Sequence, residues 1–574
     1  MQNAYREGLR LITTNPGDTI QSEESTERFE PYSGYIIRNI YSQRINFEYS
    51  IYDSAKKINK TLLTVANALH GNTKEKIIYN HLFIKANEPL IPGKVSDNER
   101  FLRDLNFILD SRIIPLPVEC TDSVDLIVVT RDIFSLGFNS GGASDLNPFG
   151  AGSASGPKLS IFDANVNGRG QLIEYTAMIN PDRSPNIGHA LRYRKSSFLA
   201  TKGNLEFGYT QINTGRSFGD ENEYAVYTRY FRPLVSPYTR LAGGFEISRN
   251  WSENVYGRPD SEFLKYEYSI YDFWLGINIG IHRAITNRNR TFLAYRFFDG
   301  NYQDQPEQPE FLAERKYNNM TGALSELTFY RQDYFKTRFV YGFGRTEDVP
   351  YGYSLGFTVG YVQELNDFNR PYAGIRYSYS FASQKTNFYD VTLQIGSYFN
   401  DKTSSFEDIT LLAHLNYFSQ VLNLNRYKIR GFLSAQFATI KRQQTLEWIT
   451  INPRIIPGFT PEDFFTQRTM INVGGSLFTP WSLIGFRIAP IVTMDVVNAE
   501  CLNCNTNKQT FFGFTGGMRI RNENLIFGTI EMKLSVIPRN AEGDTEFVFR
   551  FSQNLRIKKT SSFVRPPTIL NINQ

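Results

Sequence analysis

Long segments that alternate between apolar and polar residues are the feature that most constrains the fold of this chain. In GYSLGFTVGY, residues 352–361, the odd positions are apolar or aromatic and the even positions are small or polar. The same period of two covers residues 373–381 and 526–536, where the second face also carries charge. A period of two predicts strands with one apolar face. These segments are about 10 to 14 residues long, which suits a tilted membrane strand, whereas strands of soluble proteins average about 5 or 6 residues.

The composition agrees with a membrane barrel. Of the 574 residues 15% are aromatic, yet only 41% are hydrophobic and the mean hydropathy is −0.36. A transmembrane barrel combines these properties, because its exterior is apolar, its interior polar and its rims aromatic. No segment approaches the roughly 18 uninterrupted apolar residues of a membrane helix. The predicted fold class is mainly β: a closed transmembrane antiparallel β-barrel of about 16 to 20 strands, an even number, over residues 158–557.

Residues 35–134 follow a different pattern. A strand-like run, YIIRNIYSQ, precedes two helix-like segments, NTKEKIIYNHLFI and SDNERFLRDLNFIL, and then two further strands. In the second helix Ser96 is the predicted N-cap, with Glu99 as its capping-box partner. This order predicts a small α+β domain with helices on one face of a sheet. Residues 1–34 are predicted to be a polar, disordered lead-in, residues 135–157 a linker or the first barrel residues, and residues 558–574 a C-terminal tail.

The order of elements in residues 35–134, with NERFLRDLNFILDSRI leading into DSVDLIVVTRD, resembles a POTRA domain, the periplasmic repeat of outer-membrane assembly factors of the BamA/TamA family. The segment EFVFRFSQNLRI is similar to the aromatic closing strand of such barrels, with Phe547, Phe549 and Phe551 toward lipid. The resemblance implies a bacterial outer-membrane barrel with its N-terminal domain in the periplasm. It also implies templated insertion or translocation of client polypeptides, captured at sheet edges without covalent chemistry.

The resemblance also implies a loop motif. BamA/TamA barrels carry (V/I)RG(F/Y) on a loop that folds into the lumen, where its Arg contacts a Glu and an Asp of the next two strands. Here Asp495 matches the Asp, whereas Gly474 stands at the Glu position. The preceding loop has Pro in place of Arg, in the residues Ile456, Pro457, Gly458 and Phe459. An intact copy lies one hairpin earlier, in the residues Ile429, Arg430, Gly431 and Phe432.

We favour the altered copy, because a Glu left without its Arg would be poorly compensated and both are absent together. Asp495 is then predicted to pair with an Arg or Lys of a neighbouring strand. The loss of this lock favours an alternative function, in which the barrel is a structural subunit of an outer-membrane complex or a passive channel. Partners expected from either function are outer-membrane lipid and client outer-membrane or secreted polypeptides, or other subunits of the complex.

Other motifs predict no chemistry. GYSLG matches a hydrolase nucleophile elbow, but the strand pattern continues through Ser354. Cys501 and Cys504 have CxxC spacing, which fits half a metal site, a redox pair, a loop disulfide or an incidental pair, and no second CxxC completes a zinc site. The net charge of +5 is dispersed, which predicts no nucleic-acid binding. We therefore expect no enzyme, cofactor or metal. A soluble all-β binding protein is the remaining alternative, disfavoured by strand length. The first residues, MQNAYREGLRLITT, show no apolar core of a signal peptide.

Overall fold

The computed structural model describes residues 23–45, 72–140, 158–213, 217–280, 288–308, 315–364, 368–383, 386–444, 449–451, 465–483, 486–501, 508–522, 529–539, 543–554 and 563–572. These residues form two sheets, one of 3 strands and one of 23. None of the helices in these ranges is long and apolar enough to cross a membrane.

The smaller sheet belongs to an N-terminal module. Its elements are strand β2 (Ile36–Ile45), helices α1 (Glu75–His81) and α2 (Pro92–Asp104), and strands β3 (Ile108–Pro117) and β4 (Ser123–Asp132). β4 lies in the centre, parallel to β2 and antiparallel to β3. Both helices contribute to one buried apolar cluster with the sheet, which includes Ile78, Leu102 and Val128. The strand, helix, helix, strand, strand order is the one predicted.

The predicted start of α2 is wrong. The helix begins at Pro92, so Ser96 and Glu99 lie inside it and are buried, and Ser96 is not its N-cap. Pro is well placed in a first helical turn, because its fixed φ suits the helix and its missing N–H would be unpaired there anyway. The Ser-x-x-Glu pattern therefore marks a buried part of the helix, where Glu99 has a different partner.

The larger sheet is an antiparallel meander. Its strands are β1 (Glu23–Glu24), β5 (Leu136–Ser140), β6 (Lys158–Asp163), β7 (Gln171–Ile179), β8 (Ile187–Lys195), β9 (Asn204–Thr210), β10 (Glu223–Arg232), β11 (Leu241–Ser252), β12 (Glu267–Ile279), β13 (Arg290–Asp304), β14 (Met320–Thr337), β15 (Glu347–Glu364), β16 (Phe368–Ser383), β17 (Asn387–Asn400), β18 (Ser405–Phe418), β19 (Leu422–Leu424), β20 (Tyr427–Lys441), β21 (Phe465–Phe478), β22 (Ser482–Leu483), β23 (Phe486–Cys501), β24 (Lys508–Arg521), β25 (Thr529–Ile537) and β26 (Glu546–Asn554). β1, β19 and β22 are short pieces, and the other 20 described strands follow one another from β5 to β26. That number is at the upper end of the predicted range.

The two faces of the meander differ as the alternation predicts. On β15 the side chains of Phe357, Val359 and Tyr361 are 40 to 58% exposed, whereas Thr358 between them and Val362 after them are buried. We call these the outer and the inner face. The predicted lipid-facing residues of β26, Phe547, Phe549 and Phe551, lie on the outer face. Ser354 lies within β15, which continues to Glu364, so the strand does not form a nucleophile elbow.

The lead-in is ordered where the structure describes it, so the prediction of disorder is wrong for residues 23–34. β1 pairs with the end of β14, and a 3-10 helix, Glu27–Tyr32, follows it. Phe29 in this turn is fully buried in the apolar cluster of the module. The polar composition predicted disorder, but one buried ring and one strand pairing with a distant segment are enough to fix these residues.

Candidate functional site

The candidate site is one end of the large sheet, which we call the base. The N-terminal module joins the sheet there, because β4 is followed directly by β5. Residues 338–346, the base loop, connect β14 to β15 at the same end. A cavity of about 1350 Å³ lies between the two, lined by Arg100 of α2, Tyr341 of the base loop and Arg565 near the C-terminus. Three separate parts of the chain therefore meet at the base.

Glu99 on α2 is the centre of a buried charge cluster. Its carboxylate accepts hydrogen bonds from the backbone N–H of Ile113 at 2.7 Å and from Arg103 Nη1 at 2.6 Å. It also accepts one from Lys336 Nζ at 2.6 Å and forms an ion pair with Arg28. Burial opposes ionisation of this carboxyl, but the charges of Arg28, Lys336 and Arg103 outweigh it and hold the Glu99 pKa well below its usual value. Glu99 thus ties the module to the lead-in and to β14.

A second group of charges lies on the same helix, α2. Asp97 accepts hydrogen bonds from Arg288 Nη2, at 3.1 Å to each carboxylate oxygen, and from Ser236 Oγ at 2.6 Å. Arg103 donates to both oxygens of Asp348, at 3.0 and 2.7 Å. Apart from Asp348, which is 11% exposed, the ionic side chains are nearly inaccessible to water. Removing one partner of a buried ion pair commonly costs about 3 to 5 kcal/mol, so the loss of any of these groups should weaken the docking of α2 on the base.

The base loop is fixed first by its own strand. The Glu347 carboxylate accepts three successive backbone N–H groups, from Val340 at 2.7 Å, Tyr341 at 2.8 Å and Gly342 at 2.9 Å. Three donors on one carboxylate hold the loop in a tight turn over the inner face. Phe343 of the loop packs edge-on against Phe478 of β21.

Three arginines from distant strands hold the other side of the base loop. Arg430 of β20 donates to the carbonyl of Phe339 at 3.2 Å, and Arg487 of β23 donates to that of Phe343 at 2.7 Å. Arg519 of β24 donates to the carbonyl of Tyr341 at 2.8 Å. These strands are far from β14 and β15 in the order of the sheet. The sheet must therefore curve strongly for the loop to reach them.

The structure describes only one of the two copies of the loop motif. Ile456, Pro457, Gly458 and Phe459 lie outside the described residues. The second copy is described, and its Arg430 is buried against the ring of Phe388 and holds the base loop. Its partners are backbone carbonyls near the base, whereas Asp495 lies farther along β23.

Asp495 of β23 and Gly474 of β21 lie on neighbouring strands of the sheet. Asp495 accepts a hydrogen bond at 2.6 Å from the side-chain amide of Asn472, its register partner on β21. The pairing of Asp495 with an Arg or Lys of a neighbouring strand stays a prediction. A Cβ atom on Gly474 would lie 2.6 Å from both the Phe432 ring and the Val492 carbonyl, so a Glu does not fit there without a backbone shift. Cys504 and the Cys501 side chain lie outside what the structure describes.

Sequence reasoning missed the base loop and the docking residues of α2. Nothing in the sequence of the loop, which includes YGFGR, indicates that arginines of β20, β23 and β24 bind its carbonyls. In the described part of the chain no group of His, Cys, Asp and Glu side chains could hold a metal ion. His81 is buried and its Nδ1 lies 2.6 Å from the Ile77 carbonyl, an internal contact of α1.

Comparison with known proteins gives distant similarities. No protein-family model and no curated protein matches the chain. Among solved structures, BamA from Haemophilus ducreyi lacking POTRA domains 1–3 matches with a TM-score of 0.38 and 9% identity, over 96% of this chain and 93% of that one. CdiB from Acinetobacter baumannii matches with a TM-score of 0.37 and 10% identity, over 93% and 78%. CdiB from Escherichia coli has a TM-score of 0.37 and 7% identity, over 93% and 80%. Similarities this weak do not establish a family, so the function rests on the geometry of the sheet and its base.

Proposed function

We propose that this protein is a transmembrane β-barrel of a bacterial outer membrane. The observation that carries the proposal is the outer face of the meander, where aromatic and aliphatic side chains are exposed on strand after strand. Water-soluble proteins rarely expose apolar patches of this extent, whereas lipid-facing strands require them. The inner face is polar where it carries buried groups such as Glu326, which accepts hydrogen bonds from Arg376 at 2.6 Å and Thr358 at 2.9 Å.

Closure of the sheet into a barrel is part of this proposal. Support comes from the strand order, in which β26 stands next to β5, and from the arginines that reach the base loop across the inner face. Connections at the end opposite the base include residues 141–157 and 442–464, which are longer than the connections at the base. Short periplasmic turns and long outer loops are typical of outer-membrane barrels, so the base would face the periplasm.

The N-terminal module would then be a periplasmic POTRA-like domain of an assembly or secretion factor. In this function the protein inserts or translocates client polypeptides by templating, with no enzyme activity and no cofactor. Its partners would be outer-membrane lipid and the clients. The element order of the module and its position directly before β5 support this assignment.

A second candidate is a barrel that serves as a structural subunit or passive channel, and the module itself favours it. Sheet edges capture extended peptides through free backbone groups. In β3 the N–H of Ile113 is bound to Glu99, and Pro115 and Pro117 have no N–H to donate. On β2 the N–H of Ile37 is bound to the carbonyl of Glu88. Both edges are therefore partly blocked in the docked state.

Two measurements test these proposals in turn. An outer-membrane barrel should need detergent for extraction and should migrate differently in a gel before and after boiling. Extraction into plain buffer with unchanged mobility would refute the membrane proposal. A protein that passes this test is then reconstituted in liposomes with an unfolded client barrel. Faster client insertion than in protein-free liposomes would support the assembly function, and an unchanged rate would favour the structural subunit.

A further inference from the structure

The C-terminal segment, residues 563–572, crosses the inner face of the sheet. Near the base, Phe563 and Val564 pack with Phe292 of β13 and Tyr330 of β14. Farther from the base, Ile569 packs against Leu324 of β14. The segment therefore runs away from the base along the inside of the sheet.

The segment ends near the opposite rim. Ile572 is buried among residues of β20 and β23, including Ile440 and Val497. Ile440 is the penultimate residue of β20, whose first residue, Tyr427, lies at the base. Residues 563–572 thus extend over most of the height of the inner face.

Part of the inner wall beneath the segment is apolar, which is unusual for the interior of a membrane barrel. A water-filled interior is normally lined by polar side chains. Here a line of buried apolar residues runs from the base toward the opposite rim, and we call it the apolar track: Phe292, Tyr330, Leu324, Val362, Ile440 and Val497. Phe563, Val564, Ile569 and Ile572 of the segment belong to the clusters that bury these side chains, so the track and the segment are complementary surfaces.

The backbone of the segment is held differently from a strand of the sheet. Residues 563–572 have no regular secondary structure, and Pro566 and Pro567 have no N–H to donate. Its hydrogen bonds to the wall include the N–H of Leu570 to Tyr372 Oη at 2.9 Å and Arg296 Nη1 to the Pro567 carbonyl at 3.0 Å. Isolated contacts of this kind, unlike the ladder of a strand, can be exchanged one by one for those of another chain.

We propose that residues 563–572 are a displaceable plug that closes the lumen from within, and that the apolar track is a binding site for one extended polypeptide segment. This inference rests on the proposed membrane barrel. Apolar burial stabilises the plugged state, whereas the entropy of ordering the segment opposes it, and the two prolines lower that cost. In the structure the chain's own residues 563–572 occupy the track. Their sequence, FVRPPTILNI, indicates which kind of polypeptide segment the track binds.

The first test compares the full chain with a variant that stops before Phe563, each reconstituted in a planar lipid bilayer. The truncated protein should conduct ions several-fold better than the full chain. A synthetic peptide of residues 563–572 should restore the low conductance, and a scrambled peptide of the same composition should not. A truncated protein that inserts with the conductance of the full chain would overturn the plug. Failure of both proteins to insert would instead refute the membrane proposal.

A second pair of variants keeps the chain at full length, in case truncation prevents folding. The triple change Ile569→Asp, Leu570→Asp and Ile572→Asp places charges against the apolar track and should raise conductance as truncation does. The matched control is Asn571→Asp, at an exposed position between two of them, which should leave the conductance low. Equal conductance of the triple variant and the control would contradict the inference.

A disulfide tests the position of the segment directly. A Cβ atom on Gly396 of β17 would lie 3.2 Å from Leu570 Cβ, close to the separation in a disulfide. The Tyr372 hydroxyl also occupies this space, so the pair Gly396→Cys and Leu570→Cys is combined with Tyr372→Phe, with the three native cysteines replaced by serine. Oxidation should form the bond, and the conductance should stay as low as that of the full chain. Absence of the bond under oxidation would show that the segment lies elsewhere.

Discussion

The charge cluster around Glu99 allows the sharpest prediction about how the module is held. Glu99→Gln keeps the shape of the side chain but removes the negative charge with which Lys336, Arg28 and Arg103 form ion pairs. Arg103 retains its bidentate contact with Asp348, whereas Lys336 and Arg28 lose a carboxylate that is only 1% exposed. Breaking a buried pair of this kind costs about 3 to 5 kcal/mol. We expect the docked state to lose that amount.

Hydrogen–deuterium exchange of α2 in the full-length protein measures this loss. A cost of about 3 kcal/mol or more corresponds to a rise of at least about a hundredfold in the exchange of amides that are protected by docking. The matched control is Asp104→Asn on the same helix, which removes the ion pair between Asp104 and Arg100. The Asp104 side chain is 39% exposed, so this pair is worth at most about 1 kcal/mol. Similar exchange in both variants would refute the reasoning. The double variant Glu99→Gln with Lys336→Met should recover part of the loss, since it removes one unpaired cation.

Three further predictions concern single residues. Burial lowers the pKa of His81 from 6.5 to about 4, so the unfolded state binds the extra proton and acid should destabilise the module by up to about 3 kcal/mol between these values. The protection factors of α1 amides, which are corrected for the slower intrinsic exchange in acid, should therefore fall from pH 7 to pH 4 in the native protein but much less in His81→Gln. Arg430→Ala should weaken the base loop by about 1 to 3 kcal/mol, seen as faster exchange at residues 339–343, and unchanged exchange there would contradict its role. Asp495→Asn should change stability by less than about 1 kcal/mol in urea unfolding, since its partner Asn472 is neutral, and a larger loss would reveal a charged partner.

The alternating strands could be predicted from the sequence because each one carries its own evidence. A period of two persists over many residues, and a shift of one position would exchange the faces, so the pattern identifies which side chains are exposed. For Phe357 and Thr358 on β15, and for Phe549 on β26, the exposed or buried position agrees with that pattern.

The site could not be predicted in the same way, because its contacts join segments far apart in the chain. Glu99 and Lys336 are separated by 237 residues, and a Ser-x-x-Glu pattern looks the same at a helix start and within a helix. Arg430 belongs to an intact IRGF motif, yet its partners are carbonyl groups, which every residue has. The C-terminal segment is short and contains Pro566 and Pro567, so no periodicity indicates that it lines the inner face.

The central claim, that the outer face of the meander meets lipid, is tested most directly by labels on alternating positions of one strand. Cysteines placed singly at Ile375 and Tyr377, on the outer face of β16, and at Arg376 and Ser378, on the inner face, would carry a fluorescent label in reconstituted vesicles. We predict that a quencher dissolved in the lipid acts on labels at 375 and 377 but not at 376 and 378. Equal quenching at all four positions, or none at any, would contradict the account.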